Sequence, residues 1–385
     1  MIDKQIIADA QKWRRHIHAH PETAFEEFNT SEFITDKLKS FNLDDVQTGL
    51  ATTGIVASLK GNIPSDKSIA LRADIDALNL HEKNDFDHKS KNKGKMHACG
   101  HDGHTAMLLA AARHLSENRD FAGSVYFIFQ PAEENEGGAR VMVEEGLFDT
   151  FPAERVYGMH NWPGLPAGTF ALRQGPIMAA ADRFDLIVKG KGGHAAMPHL
   201  SHDPIACSSQ LVSALQNIHS RRMNPLDQAV LSITQIHAGD AYNVIPDEVV
   251  LKGSLRSFKE NVRDDFIREI EHTAAGICAA NHCTYEFIFR QGYPPTVNEA
   301  QATEIAAEAA RATVGENKVD LNAEPSMGSE DFSFMLKEKP GCYLFLGNGP
   351  GEGGCMLHNP HYDFNDNILS TGASYWVNLV KQELK

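Results

Sequence analysis

Apolar residues recur at helical spacing through IIADAQKWRRHIHAH (6–20), which Pro21 stops, and again through EEFNTSEFITDKLKSF (26–41). After these the pattern alternates. TGIVASLKG (53–61) and SIALRADIDAL (68–78) read as strands, and HTAMLLAAARHLSE (104–117) as a helix rich in Ala and Leu. GSVYFIFQP (123–131) reads as a buried strand, GGARVMVEEGLF (137–148) as a helix and RVYGMHN (155–161) as a strand. Strands alternating with helices predict an α/β sheet, at least partly parallel and covered on both faces.

The pattern changes near residue 181. Strand ADRFDLIVKGKGG (181–193), helix 203–222, strands 229–239 and 248–258, helix 260–282 and strand 283–293 follow in the order β-α-β-β-α-β. That is the split unit of a ferredoxin-like fold. GYPPTVNEA (292–300) reads as a return linker, after which a helix (300–315), a strand (342–349) and a terminal helix from about Asn367 resume the first style. The expected architecture is an α/β domain built from residues 1–180 and 295–385, with a ferredoxin-like α+β domain inserted at 181–294.

Charge and composition narrow the function classes. Lys and Arg number 36 against 51 Asp and Glu, a net charge of −15, which argues against nucleic acid or an anionic membrane as partner. The N-terminal MIDKQIIADAQKWRR lacks the apolar core of a signal peptide, and no apolar run approaches the ~20 residues that span a bilayer. Six cysteines without framework spacing read as reduced thiols, so a cytoplasmic location is expected.

Chemistry-bearing residues fall where such a sheet collects them, on loops past the carboxyl ends of its strands. MHACGHDGH (96–104) holds His97, Cys99, His101 and His104. On an extended segment His97, Cys99 and His101 point the same way, and thiolate and imidazole are good ligands for zinc and related metals. Glu133 and Glu134 follow the strand that ends at Pro131; one carboxylate could hold a metal while its neighbour takes a proton. A solvated acidic turn is the plainer reading of such a pair. His160 ends another strand, and His358, His361 and Cys355 share the glycine-rich loop GNGPGEGGCMLHNPHYDF. Cys99 as a nucleophile with a histidine base is a rival reading, but it leaves Glu133 and Glu134 without a task. No G-x-S-x-G, Walker loop or dinucleotide fingerprint is present.

Taken in order, LRADIDAL, MHACGHDGHTAMLLAAA, FIFQPAEE, GGHAAMPH, YNVIPDE, GSEDF and LHNPHYDFND resemble the M20 metallopeptidases. The likeness is greatest to the amidohydrolase branch with hippurate hydrolase, N-acyl-amino-acid amidohydrolases and auxin-conjugate hydrolases. It implies an aminopeptidase-like catalytic domain with an inserted lid that dimerises. It also implies two divalent metal ions per subunit (Mn, Zn, Co or Ni) held by Cys99, His101, Glu134, His160 and His358, with Glu133 as general base and acid. His97 and His104 then read as structural or supporting, and Asp74 and Asp102 as acids behind the ligands. The resemblance further implies that His194 serves the scissile carbonyl and that Asn243 and Arg256 hold the substrate; Glu330 lies near the site in the family, with no role assigned. Cys99 stands where other M20 enzymes carry a bridging Asp, and Asn79 departs from the usual Pro.

The implied reaction is hydrolysis of a small N-acyl amino acid through a metal-bound water activated by Glu133. A dipeptidase or carboxypeptidase is the nearest alternative, and a catalytically silent binding protein would show a broken ligand set.

Overall fold

The structure is a computed structural model and describes residues 2–134, 136–350 and 355–385. Residues 351–354 of the glycine-rich loop lie outside the described residues. By backbone contacts the chain forms two compact units: residues 1–177, 297–324 and 331–385, and residues 178–296 with 325–330.

In the first unit the chain runs through helices α1 (Lys4–Ala19) and α2 (Phe28–Lys39) and strands β1 (Asp45–Leu50), β2 (Gly54–Lys60) and β3 (Ile63–Asp74). Helix α3 (His101–Glu117), strand β4 (Ala122–Gln130), helices α4 (Gly138–Glu144) and α5 (Leu147–Thr150), and strands β5 (Arg155–Pro163) and β6 (Phe170–Ala171) follow. Strand β7 (Gly175–Met178) lies at the passage into the second unit, which holds β8 (Ala180–Lys189), β9 (Gly193–His194), α6 (Pro204–Arg222), β10 (Ala229–His237), β11 (Val244–Ile245), β12 (Glu248–Ser257), α7 (Glu260–Ala280) and β13 (Thr284–Tyr293). The chain returns through β14 (Thr296–Asn298), α8 (Ala300–Val314), β15 (Val319–Asp320), α9 (Phe332–Glu338), β16 (Gly341–Gly349) and α10 (Leu369–Glu383).

The first unit is an eight-stranded sheet in the order β1-β2-β4-β3-β5-β16-β6-β15. Its centre is parallel: β3 pairs with β4 and β5, and β5 with β16, while β1 and β2 add an antiparallel edge. Every residue of β16 is buried, and in β4 and β5 all but Ser124, Tyr126, Arg155 and Trp162 are, as continuous apolar runs in a covered parallel sheet require. Helix α3 is buried on nearly all its faces, which accounts for its run of Ala and Leu between α1, α10 and the sheet.

The second unit is a four-stranded antiparallel sheet in the order β10-β12-β8-β13. Strand β8 alternates buried and exposed positions through most of its length, and α6 and α7 close its apolar side around Phe184, Leu186, Leu211, Leu251, Phe266 and Ile270.

Three expectations need correction. Helix α3 starts at His101, not His104, so the shared parity of an extended segment reaches only as far as Cys99. The strand expected over 68–78 ends at Asp74: Ile75 N–H still donates to Gln130, but Ala77 N–H turns away to the carbonyl of Glu22. The helix expected over 137–148 is broken at Gly146, whose φ of 88° no helix accommodates.

Candidate metal centre

Parallel register brings the carboxyl ends of three strands together. Asp74 lies opposite Gln130 on β4, and Arg72 lies opposite Gly158 on β5. At and just past the ends of β3 and β4 lie Asp74–Asp76 and Pro131–Glu134, while His160 and Asn161 lie within β5 beyond its pairing with β3. Cys99 and His101 arrive with the start of α3, after Gly100 at a φ of 95°. A Cβ at Gly100 would sit 2.2 Å from Asn161 Oδ1, so this close approach of backbone to side chain needs glycine twice over. His358, itself at a φ of 62°, is tied to the same segment by its N–H, which donates to Ala98 O at 2.8 Å.

The donor atoms fall into overlapping groups. Those of Cys99, His101 and His160 lie within 4.8 Å of one another, as do those of Cys99, Glu134 and His358 and those of His101, Glu133 and Glu134. Cys99 thus belongs to two sets, which suits a thiolate shared between two cations.

Hydrogen bonds leave these donors prepared for a cation. His101 Nδ1 is 3.0 Å from the carbonyl oxygen of Asp76, to which it donates, and its buried Nε2 has no hydrogen-bond partner among the described residues. His160 repeats the arrangement: Nδ1 donates to Asn161 O at 2.6 Å, and Nε2 faces Cys99 Sγ at 3.3 Å. Fixing one ring nitrogen as donor presents the lone pair of the other, as in metal-ligating histidines. Glu134 Oε1 is buried and lies 3.1 Å from His358 Nε2, misaligned for a hydrogen bond, so the two face a common point. The residues fit divalent metal ions. A mixed set of imidazole, thiolate and carboxylate is chemistry for borderline transition metals rather than Mg or Ca.

Electrostatics agree. Burial pushes the Cys99 thiol well up, and Glu134, Glu133 and Asp74 add to it, so the thiol needs a cation beside it to ionise. A nucleophilic cysteine needs the opposite shift, which weighs against the thiol-hydrolase reading. Burial pulls the His101 imidazole down, but Asp74, Asp76 and Glu134 outweigh it and lift it to about 10. Carboxylates therefore surround a place that asks for positive charge.

Behind the donors runs a fully bonded polar chain. Arg72 donates to Asp74 at 2.8 Å, Asp74 Oδ1 meets His104 Nδ1 at 2.6 Å, and His104 Nε2 meets Asn161 Oδ1 at 2.7 Å. Asn161 Nδ2 continues to the hydroxyl of Tyr362 at 2.5 Å. His104 thus supports the site without facing it. Asp102 is turned elsewhere: its carboxylate accepts from His18 Nδ1 at 2.8 Å and lies 3.5 Å from Arg14, which ties α3 to α1. His97 is buried with neither ring nitrogen hydrogen-bonded among the described residues, and burial lowers it to about 3.

Sequence reading missed Asp76. Its Oδ1 is 3.1 Å from His101 Nδ1 and its Oδ2 accepts the N–H of Glu134 at 3.0 Å, so it orients two candidate ligands at once. The signal was an Asp-X-Asp at the end of a buried strand. Asn161, beside His160, was likewise passed over.

The second unit carries the other expected residues. His194 on β9 is paired with Val244 on β11, next to Asn243, whose carbonyl accepts from Ala195 N–H at 3.0 Å. Arg256 on β12 is partly buried, and its Nη1 donates to Ser329 Oγ at 3.1 Å. Glu330 is buried in the short segment that joins this unit.

The sequence profile of peptidase family M20/M25/M40 matches residues 70–382. The chain is 41% identical to a hippurate hydrolase of Campylobacter jejuni over 376 residues, covering 97% of this chain and 96% of that one. It is 40% identical to thermostable carboxypeptidase 1 of Saccharolobus solfataricus over 383 residues, covering 96% and 95%. A crystal structure of a Bacillus subtilis dinuclear metal binding peptidase from the M20 family superposes with a TM-score of 0.87 at 34% identity, covering 98% of each chain.

Proposed function

The chain belongs to peptidase family M20/M25/M40, and from that premise we propose that it is a metal-dependent amidohydrolase that cleaves N-acyl amino acids to a carboxylate and a free amino acid. One observation carries the chemistry: two donor groups share Cys99, with Glu133 beside them. The full-length likeness to a hippurate hydrolase, whose substrate name denotes an N-acylated glycine, supports the substrate class.

Cys99, His101, Glu134, His160 and His358 would hold two divalent ions, with Mn, Zn, Co and Ni all compatible. Such ions, when bound, polarise the scissile carbonyl and ease deprotonation of a water at neutral pH. Glu133 takes that proton as the nucleophile reaches the amide carbon, and delivers it to the leaving nitrogen. Glu133 is assigned this work because it is buried beside the candidate ligands, its carboxylate grouped with the donors of His101 and Glu134. Asp76 and Asn161 keep the two ligating imidazoles in one tautomer. His194, Asn243 and Arg256 are assigned to substrate contacts, Arg256 suiting a terminal carboxylate. The inserted unit is assigned as a lid through which two chains associate, in a cytoplasmic enzyme.

The likeness to a carboxypeptidase favours a second reading, cleavage of a C-terminal residue from a peptide by the same groups. A panel separates them: N-acetyl-Met, N-benzoyl-Gly and a free dipeptide, each offered to chelator-stripped enzyme and to enzyme with Mn, Zn or Co restored. Metal-rescued release of amino acid from an acylated substrate is the expected result. Cleavage of the free dipeptide alone would replace the proposal with the second reading.

A further inference from the structure

Glu27 precedes α2, more than a hundred residues before the turn it touches, and is fully buried. Its Oε2 accepts from Thr53 Oγ1 at 2.6 Å and its Oε1 from the backbone N–H of Ala132 at 3.0 Å. Ala132 has a φ of 54°, in the left-handed region, where a Cβ is crowded against the following carbonyl oxygen. The next two residues are Glu133 and Glu134. The turn is hooked at two further points: Gly138 N–H donates to Ala132 O at 2.9 Å, and Glu134 N–H donates to Asp76 Oδ2 at 3.0 Å. Of these three bonds, the one to Glu27 is made by the N–H of the strained residue itself.

We propose that Glu27 is a positioning residue for the reaction: its carboxyl group holds Ala132 in the left-handed conformation and so aims Glu133 and Glu134. A group needed only to fill space under α2 would not be an acid. Burial lifts this carboxyl to about 7 against hydrogen bonds from Thr53 and two backbone N–H groups, and Asp76 is a nearby like charge. An apolar side chain would fill the same volume without that cost but would give the Ala132 N–H no acceptor. The inference rests on reading Glu133 as the base and Glu134 as a ligand.

The test uses the full chain reconstituted with metal. Glu27→Ala is compared with Glu27→Gln, each alone and with Ala132→Gly, by kcat and KM on the substrate the panel selects and by the rate of metal loss to a chelator. Glu27→Ala should lower kcat by about 10–100-fold with KM within a few-fold, and should release metal faster. Glu27→Gln, which keeps an acceptor for the Ala132 N–H, should stay within a few-fold of wild type. With Ala132→Gly the loss should shrink several-fold, because glycine takes a positive φ without a Cβ penalty. Glu27→Met, similar in length and lacking an acceptor for that N–H, carries the same prediction if the alanine variant does not fold. Wild-type kcat and metal retention in Glu27→Ala, or an equal loss in both backgrounds, overturns the inference. Glu133→Gln is the control: if it is fully active, the base reading falls and this inference with it. An inactive Glu133→Gln beside a normal Glu27→Ala removes the inference alone.

Discussion

Cys99 is where the two donor groups meet, and its chemistry sets testable consequences. A carboxylate there would keep the negative charge but lose the soft donor. Cys99→Asp should therefore retain metal while shifting preference away from the softer ions, and its activity should no longer fall on treatment with a thiol oxidant; unchanged oxidant sensitivity would place the reactive thiol elsewhere. Glu133→Gln should bind metal as wild type does and lose about 10²–10⁴-fold in kcat, measured with metal content per chain. His18 offers a pH test away from the ligands. Burial lowers its imidazole, but Asp102 and Glu82 outweigh this and raise it to about 9 from an unfolded value of 6.5. Its contribution to stability, about 3 kcal/mol, is thus complete below pH 6.5 and is lost as pH rises through 9. Denaturant unfolding of wild type against His18→Gln should show the gap narrowing across that window; a gap that stays constant would mean that His18 is neutral in the fold.

At the scale of elements, the start of α3 does the most for the site. The helix begins at His101 because Gly100 turns the chain at positive φ, and that turn lets Asn161 and Tyr362 approach from β5 and the C-terminal loop. Gly100→Ala should cost several kcal/mol in chemical denaturation, combining a left-handed alanine with a displaced Asn161, and should weaken metal retention. Normal stability would show that the segment has room the distances deny. The hydrophobic pattern found α3 but began it three residues late, since polar His101, Asp102 and His104 break the apolar stripe while being fully buried. Periodicity reads side-chain polarity, and a buried polar cluster defeats it. For the same reason the short strands β6, β9, β11 and β15 escaped notice: two residues carry no period.

On the scale of the molecule, the two units hold separate apolar cores, one around α3 and the central parallel strands and one under α6 and α7. All five candidate ligands belong to the first. Chelation should therefore lower the melting temperature of that unit selectively, because metal stabilises only the fold that binds it. Scanning calorimetry with and without chelator should resolve this; an equal shift of both transitions would mean that the units unfold as one. Association is tested by sedimentation velocity, where twice the chain mass is expected. Strand β10, one of the two edge strands of its sheet and with Val230 and Ile236 exposed, is the edge assigned to it. Sedimentation at the mass of one chain would remove that proposal.

The sequence by itself determined the alternation of strands and helices, the β-α-β-β-α-β order of the inserted stretch and the residue types at the strand ends, because these depend on local period and on chemistry carried within a few residues. It could not reveal that Asp76 grips both His101 and Glu134, that Asp102 turns away to His18, or that Glu27 reaches across to Ala132. Those pairings join residues up to 105 positions apart. They come from strand register and from the need of each buried polar atom for a partner, which only the assembled core can supply.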